Sequence, residues 1–434
     1  MELPYAAVEF TTKGEAADEQ QAAAALATVK DAQATDVLLI AHGWNNDIPA
    51  AERLFERVIA RLATEAQLAD RRLAVIGVLW PSVRWADDDD LAGGGVSVAD
   101  PRQQLDLAIN QAVDDPAVAA GLLAAADRLE TTGDGQEDFV AALRPLLPDA
   151  DGGEDPLPQA LAEGDAAALF AAAEEVELAG LDDEPDGAPG DADADLPPGV
   201  MPDLLGGPDT AAAGLSLRSP LVLARLLLNT STYYTMKDRA GTVGSVGVAE
   251  LARRLHDHVP DVAVHLAGHS FGARVVSAAA AASEVPLGSV TLLQGAFSHF
   301  GFARNYADSG KDGAFRRALT EGQVSGPIVV THTHNDLAVR TAYALASRIA
   351  RQTGAALVGG PDDPYGGIGA NGARDTEEAE SRDLQAADAA YDFTPGRVYN
   401  LRSDAFVGGH SRVTGPEVVH ALAGAILAGG RRAP

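Results

Sequence analysis

Cysteine is absent from this chain of 434 residues. That absence excludes disulfides, thiolate zinc sites, iron–sulfur clusters and thiol nucleophiles together. Cations are scarce as well: Lys and Arg number 32 against 63 Asp and Glu, a net charge of -31. A nucleic-acid binder needs a basic surface to release phosphate counterions, so that class of partner is disfavoured. No uncharged run reaches the length of a membrane span. The start, Met1-Glu2-Leu3-Pro4-Tyr5, lacks the basic residues and apolar stretch of a secretion signal. The expectation is a soluble, cytoplasmic protein with no transmembrane segment and no nucleic-acid partner; the oligomeric state is not written in the sequence.

What is present is a globular composition, 46% hydrophobic and 22% charged, enough to bury a sizeable core. The acidity is concentrated. Between Asp87 and Asp209 there are 31 acidic residues and three basic ones (Arg102, Arg128, Arg144), whereas the rest of the chain has 32 acidic and 29 basic. Outside that interval, short apolar runs alternate with helical patterns. The runs are Val37 to His42, Leu73 to Trp80, Val262 to Ala267, Val290 to Ala296, Ile328 to His334 and Arg397 to Ser403, with a weaker edge near Tyr5 to Thr11. Helical periodicity occupies Ala50 to Leu68, Val246 to His258, Gly272 to Ser283, Leu337 to Gln352 and Pro416 to Ala428. This order predicts an α/β fold, a mostly parallel sheet with helices on both faces. The expected organisation is a core in two parts, 1–85 and 236–434, interrupted by an acidic insertion over 86–235. Within the insertion the Ala-rich pieces favour helix, and Leu181 to Pro208, dense in Asp, Pro and Gly, reads as a loop or disorder. The apolar Leu221 to Leu228 reads as a buried helix or the wall of an acyl pocket.

The chemistry centres on Gly268-His269-Ser270-Phe271-Gly272, directly after one apolar run and directly before an Ala-rich helical pattern. A GxSxG string alone is weak. Set between a strand and a helix it is the pattern of a nucleophile elbow, with small residues where a sharp turn leaves no room. A serine hydroxyl needs a base to take its proton and a carboxylate to orient that base. In such folds these follow the serine in the order acid, then histidine. Asp336, just beyond Ile328 to His334, and His410, just beyond the last strand, fit that order. Both lie where an open parallel sheet gathers its site. Backbone N–H groups must also receive the oxyanion; Trp44, in His42-Gly43-Trp44-Asn45-Asn46, and Phe271 are the assigned donors.

Other assignments stay open. Asp404 and Asp308 are alternative orienting carboxylates. His420, His299, His332 and His334 are alternative bases, although packing is the more ordinary role for each. His332 and His334 form an HxH pair, but without obvious carboxylate company no metal is expected.

With these residues in view, the chain resembles the α/β-hydrolase superfamily. More narrowly, it is similar to bacterial serine esterase or lipase-like hydrolases with HGYNN-like, WPS, GHSxG, DLAL-like and GHS motifs. The counterparts here are His42 to Asn46, Trp80-Pro81-Ser82, Gly268 to Gly272, Asp336-Leu337-Ala338-Val339 and Gly409-His410-Ser411. The resemblance implies hydrolysis of a carboxylic ester or thioester, a small-molecule acyl substrate, and no cofactor. Two other outcomes are compatible with the residues: an acyltransferase using the same acyl-enzyme, or an inactive scaffold whose acidic arm holds a basic partner. The insertion departs from the pattern and is expected as a lid or as a solvated tether.

Overall fold

The computed structural model describes residues 3–44, 46–82, 101–113, 115–130, 134–147, 161–180, 219–336, 339 and 366–430. The chain runs β1 (Tyr5–Glu9), α1 (Glu19–Asp31), β2 (Asp36–Ala41), α2 (Ile48–Leu62), β3 (Leu73–Leu79), α3 (Pro101–Ala112), α4 (Pro116–Ala126), α5 (Gly135–Leu143), α6 (Ala166–Gly180) and α7 (Pro220–Thr242). It continues through α8 (Ala249–His258), β4 (Ala263–His269), α9 (Phe271–Ala282), β5 (Ser289–Leu293), β6 (Ile328–His332), β7 (Ala379–Asp383), β8 (Val398–Arg402) and α10 (Pro416–Gly429).

The eight strands make one sheet in the order β1-β3-β2-β4-β5-β6-β8-β7, and every neighbouring pair is parallel. This is an α/β fold. Strand alternation sorts the apolar residues to two faces. Val37, Leu39 and Ala41 of β2, with Ala74, Ile76 and Val78 of β3, join one core with α1, α7, α8 and α9. Leu38 and Ile40, with Val75 and Leu79, join the other with α2 and α10. Both faces are covered, which is why the central strands read as continuous apolar runs.

Local chemistry sets the helix starts. The Asp18 side chain accepts from Gln20 N at 2.8 Å to open α1, and Asp47 accepts from Ala50 N at 2.7 Å to open α2. Asp115 does the same for α4, ahead of Pro116. Each satisfies an N–H that the first turn leaves without a partner.

The interval from Ala86 to Thr235 contributes helices to the packed body. Leu105, Ile109, Leu122, Phe139, Leu169 and Phe170 are buried and continuous with the sheet's first core. The three arginines between Asp87 and Asp209 are spent internally. Arg102 pairs with Asp106 and Asp127, Arg128 pairs with Asp138, and Arg144 donates to the Gly164 carbonyl. Leu221 to Leu228 forms the buried first half of α7, except that Arg225 is half-buried. That helix runs unbroken past residue 235 to Thr242 and continues as one π-helical stretch, Val243–Val248, into α8. Leu181 to Pro208 and all of the Leu337 to Gln352 pattern but Val339 lie outside the described residues. Among the described residues, no helix is long and apolar enough to cross a membrane.

Candidate active site

β2 and β4 are neighbours at the centre of the sheet, yet the chain leaves β2 towards β3 on one side and β4 towards β5 on the other. This is a topological switch point, and open α/β sheets bind ligands at the C-terminal ends of the strands there. Ser270 sits there, between β4 and α9, with φ 56 and ψ -119. Few side-chain-bearing residues adopt such a backbone. Three main-chain bonds hold it: Ser270 N donates to Leu293 O at 3.0 Å, and Ser270 O accepts from Ala273 N and Ala296 N, both at 3.1 Å. The turn is also too tight for side chains on either flank. A Cβ on Gly268 would stand 2.1 Å from Gly272 O, and one on Gly272 would stand 2.3 Å from Ala41 O.

The sequence-expected partners meet this serine. His410 Nε2 lies 2.8 Å from Ser270 Oγ, and His410 Nδ1 lies 2.8 Å from Asp336 Oδ2. Asp336 is fully buried, and its other oxygen accepts from Val339 N at 2.9 Å. A carboxylate only accepts, so Nδ1–H of His410 donates to Asp336 and Nε2 is left to accept from the serine O–H. The acid and histidine loops are tied together beside it. Asn335 Nδ2 donates to the carbonyls of Asp404 and Val407 at 3.1 and 3.0 Å.

The loop after β2 completes the arrangement. A Cβ on Gly43 would stand 3.0 Å from Ser270 Cβ, so the bare backbone of this loop lies against the serine. Trp44 follows immediately. Phe271 opens α9, where a first-turn N–H has no acceptor within its own helix. Their rings are 5.7 Å apart, and Tyr233 of α7 packs on both, at 6.0 Å from Trp44 and 4.8 Å from Phe271.

Several supporting residues carried no assigned role in the sequence beyond their motif. His42 is buried, and burial pushes its pKa down to about 4, so the ring is neutral near pH 7. Its Nδ1–H donates to Gly43 O at 2.9 Å, while Nε2 accepts from Trp80 N at 3.2 Å. Trp80 returns a bond from Nε1 to His42 O at 2.9 Å and stacks on the imidazole at 5.7 Å. Ser82 Oγ donates to Asn46 O at 2.9 Å. The WPS string thus braces the loop that bears Trp44, a role visible only once β2 and β3 are side by side.

The chain matches no protein-family model, no curated protein and no solved structure.

The remaining alternatives are engaged elsewhere. Asp404 accepts from His334 N at 2.8 Å, from Thr333 Oγ1 at 2.9 Å and from His334 Nδ1 at 3.2 Å. Burial raises its pKa, but those bonds outweigh burial and leave it below the ordinary carboxylate value. Asp308 is exposed, in a turn where it meets Asn305 at 3.5 Å. His299 accepts from Asn371 Nδ2 at 3.2 Å, His332 donates to Ala370 O at 3.3 Å, and His420 meets Glu65 at 2.9 Å from α10. Among the described residues, no group of three or more His, Cys, Asp or Glu is placed to hold a metal ion.

A second Ser-His-Asp chain lies at the opposite end of the sheet. Ser289 Oγ is 2.8 Å from His265 Nδ1, and His265 Nε2 is 3.1 Å from Asp36 Oδ1. All three are sealed, at 1% exposure or less. Ser289 begins β5 rather than a strained turn. Distances alone therefore do not tell the two serines apart; the positive-φ turn and the adjacent helix start belong to Ser270 alone.

Proposed function

We propose that this chain is a serine hydrolase of the α/β-hydrolase fold that cleaves a carboxylic ester or thioester through an acyl-enzyme. The carrying observation is the unbroken 2.8 Å chain from Ser270 through His410 to Asp336, set on a backbone turn with φ 56. Ser270 Oγ attacks the carbonyl carbon as its proton passes to Nε2 of His410. Asp336 holds the imidazole in the required tautomer and stabilises the imidazolium. The N–H groups of Trp44 and Phe271 are assigned to the oxyanion. Collapse of the tetrahedral adduct breaks the bond to the leaving alkoxide or thiolate, which takes the proton from His410. Water, activated by the same imidazole, then attacks the acyl-serine and releases the acid. These steps call on side chains, backbone and water, with no cofactor.

We also assign the acidic insertion a covering role beside this site. Support comes from the part of α7 within the insertion, whose Tyr233 rests on the rings of both assigned oxyanion residues.

The test is turnover of a graded series of acyl esters by wild type and Ser270→Ala. Loss of at least about a thousandfold in kcat is expected in a protein that keeps its circular dichroism. Near-wild-type turnover by the variant would overturn the proposal.

A further inference from the structure

His269, the residue just before Ser270, has no part in the acyl transfer outlined above. It ends β4 and is 7% exposed. Its Nε2 lies 2.9 Å from the main-chain carbonyl of His410, and the two rings are 5.0 Å apart. Its other ring nitrogen faces the loop after β2: a Cβ on Gly43 would stand 3.1 Å from Nδ1 of His269. One imidazole therefore lies between the loop that bears Trp44 and the loop that bears the base.

We propose that His269 is a positioning residue, its Nε2–H pinning the backbone of His410 so that the base stays within reach of Ser270. This rests on the reading of Ser270 and His410 as nucleophile and base. Asp336 fixes only the ring of His410. The backbone ahead of it is Gly408-Gly409, and a side chain at Gly409 would meet nothing within 4 Å. Gly408 and Gly409 have wide backbone freedom, and the loop is tied beyond them by Arg412 N donating to Gly409 O at 3.2 Å; a base displaced by about an ångström loses much of its effect. The bond to His269 supplies the missing restraint. The ring is also neutral near pH 7, so only one of its nitrogens carries a hydrogen. Burial, then the neighbouring His410, pushes the His269 pKa down to about 3, so Nε2–H is the tautomer that meets the carbonyl.

The experiment compares His269→Gln, His269→Asn and His269→Met in the full chain. Rates are taken per active site counted by complete fluorophosphonate labelling. A Gln amide reaches as far as Nε2, whereas an Asn amide stops short and Met cannot donate. The expected result is about a tenfold loss of kcat for Met and Asn, KM within about twofold, and recovery to within about threefold of wild type for Gln. Wild-type kcat in the Met and Asn variants overturns the inference, as does an equal loss in all three, which would mark a packing role. Nitrogen-15 NMR of the unmodified protein needs no variant: an Nε2–H tautomer for His269 supports the bond, and an Nδ1–H tautomer overturns it. Wild type that neither labels at Ser270 nor turns over ester would remove the enzyme reading itself. Wild type that does both, with a fully active Met variant, removes this inference alone.

Discussion

At the residue scale, two carboxylates stand near the same histidine loop, and only their hydrogen bonds tell them apart. Asp336 gives one oxygen to His410 and the other to Val339 N. Asp404 spends both on the Thr333-His334 segment. Asp336→Asn should therefore reduce kcat by about 10⁴-fold, because an amide can present a donor to Nδ1 and favour the wrong tautomer. Asp404→Asn loosens the acid loop and should cost about tenfold or less. Equal losses on the same ester would show that the two carboxylates act as a unit. His42 belongs to the same scale: kept neutral by burial, it donates from one nitrogen and accepts at the other, which a cation does not do.

At the element scale, the strand-turn-helix at β4 and α9 is the most demanding piece of backbone in the site. An added methyl at Gly272 would meet Ala41 O at 2.3 Å and force α9 away from β2. Gly272→Ala is expected to lose about 1–3 kcal/mol of stability together with activity. Gly409→Ala, where the added Cβ has open space, should stay within about 0.5 kcal/mol. Denaturant midpoints of the two variants check this contrast, and equal shifts would contradict it. The elbow was legible in the sequence because its constraint is local: two glycines, one serine, an apolar run before and an alanine run after. The central strands β2, β3 and β4 were the most legible because burial on both faces leaves them mainly apolar. β7, Ala-Glu-Ser-Arg-Asp, was not legible; it is an edge strand, and its identity comes from pairing with β8 rather than from its own side chains. The Ala-rich α1 carries only a weak amphipathic signal. The brace from Trp80 and Ser82 and the bond from His269 to His410 join residues far apart in the chain, so they appear only with the fold.

At the scale of the whole molecule, the buried histidines tie folding stability to pH. His42, His269, His299 and His332 are pushed by burial down to about 4, 3, 3 and 4. In the unfolded chain each would titrate near its ordinary value of about 6.5. Between those limits the unfolded state binds more protons, so folding stability is complete above about pH 6.5 and falls as the pH drops towards 4. Each histidine contributes up to about 1.4 kcal/mol per pH unit in that window. Asp36 adds a loss of the same sign further down. Burial raises its pKa, but bonds from His265 and Thr35 and the nearby Arg71 outweigh burial and hold it below the ordinary value. Its stabilisation is present above the unfolded carboxylate value and disappears as the pH falls through the lower, folded one. Urea midpoints should hold from pH 7.5 to about 6.5 and decline from there to pH 4.5; a profile flat throughout would contradict the buried, neutral state of these rings.

The most direct measurement is mass spectrometry of the peptide modified by a fluorophosphonate probe. Among the described residues, two serines sit 2.8 Å from a histidine that is itself bonded to an aspartate, so the protein carries its own control. The expected result is stoichiometric modification of Ser270, none of Ser289, and loss of labelling in His410→Ala. Unmodified Ser270 in folded protein, or labelling that survives removal of the His410 imidazole, would contradict it.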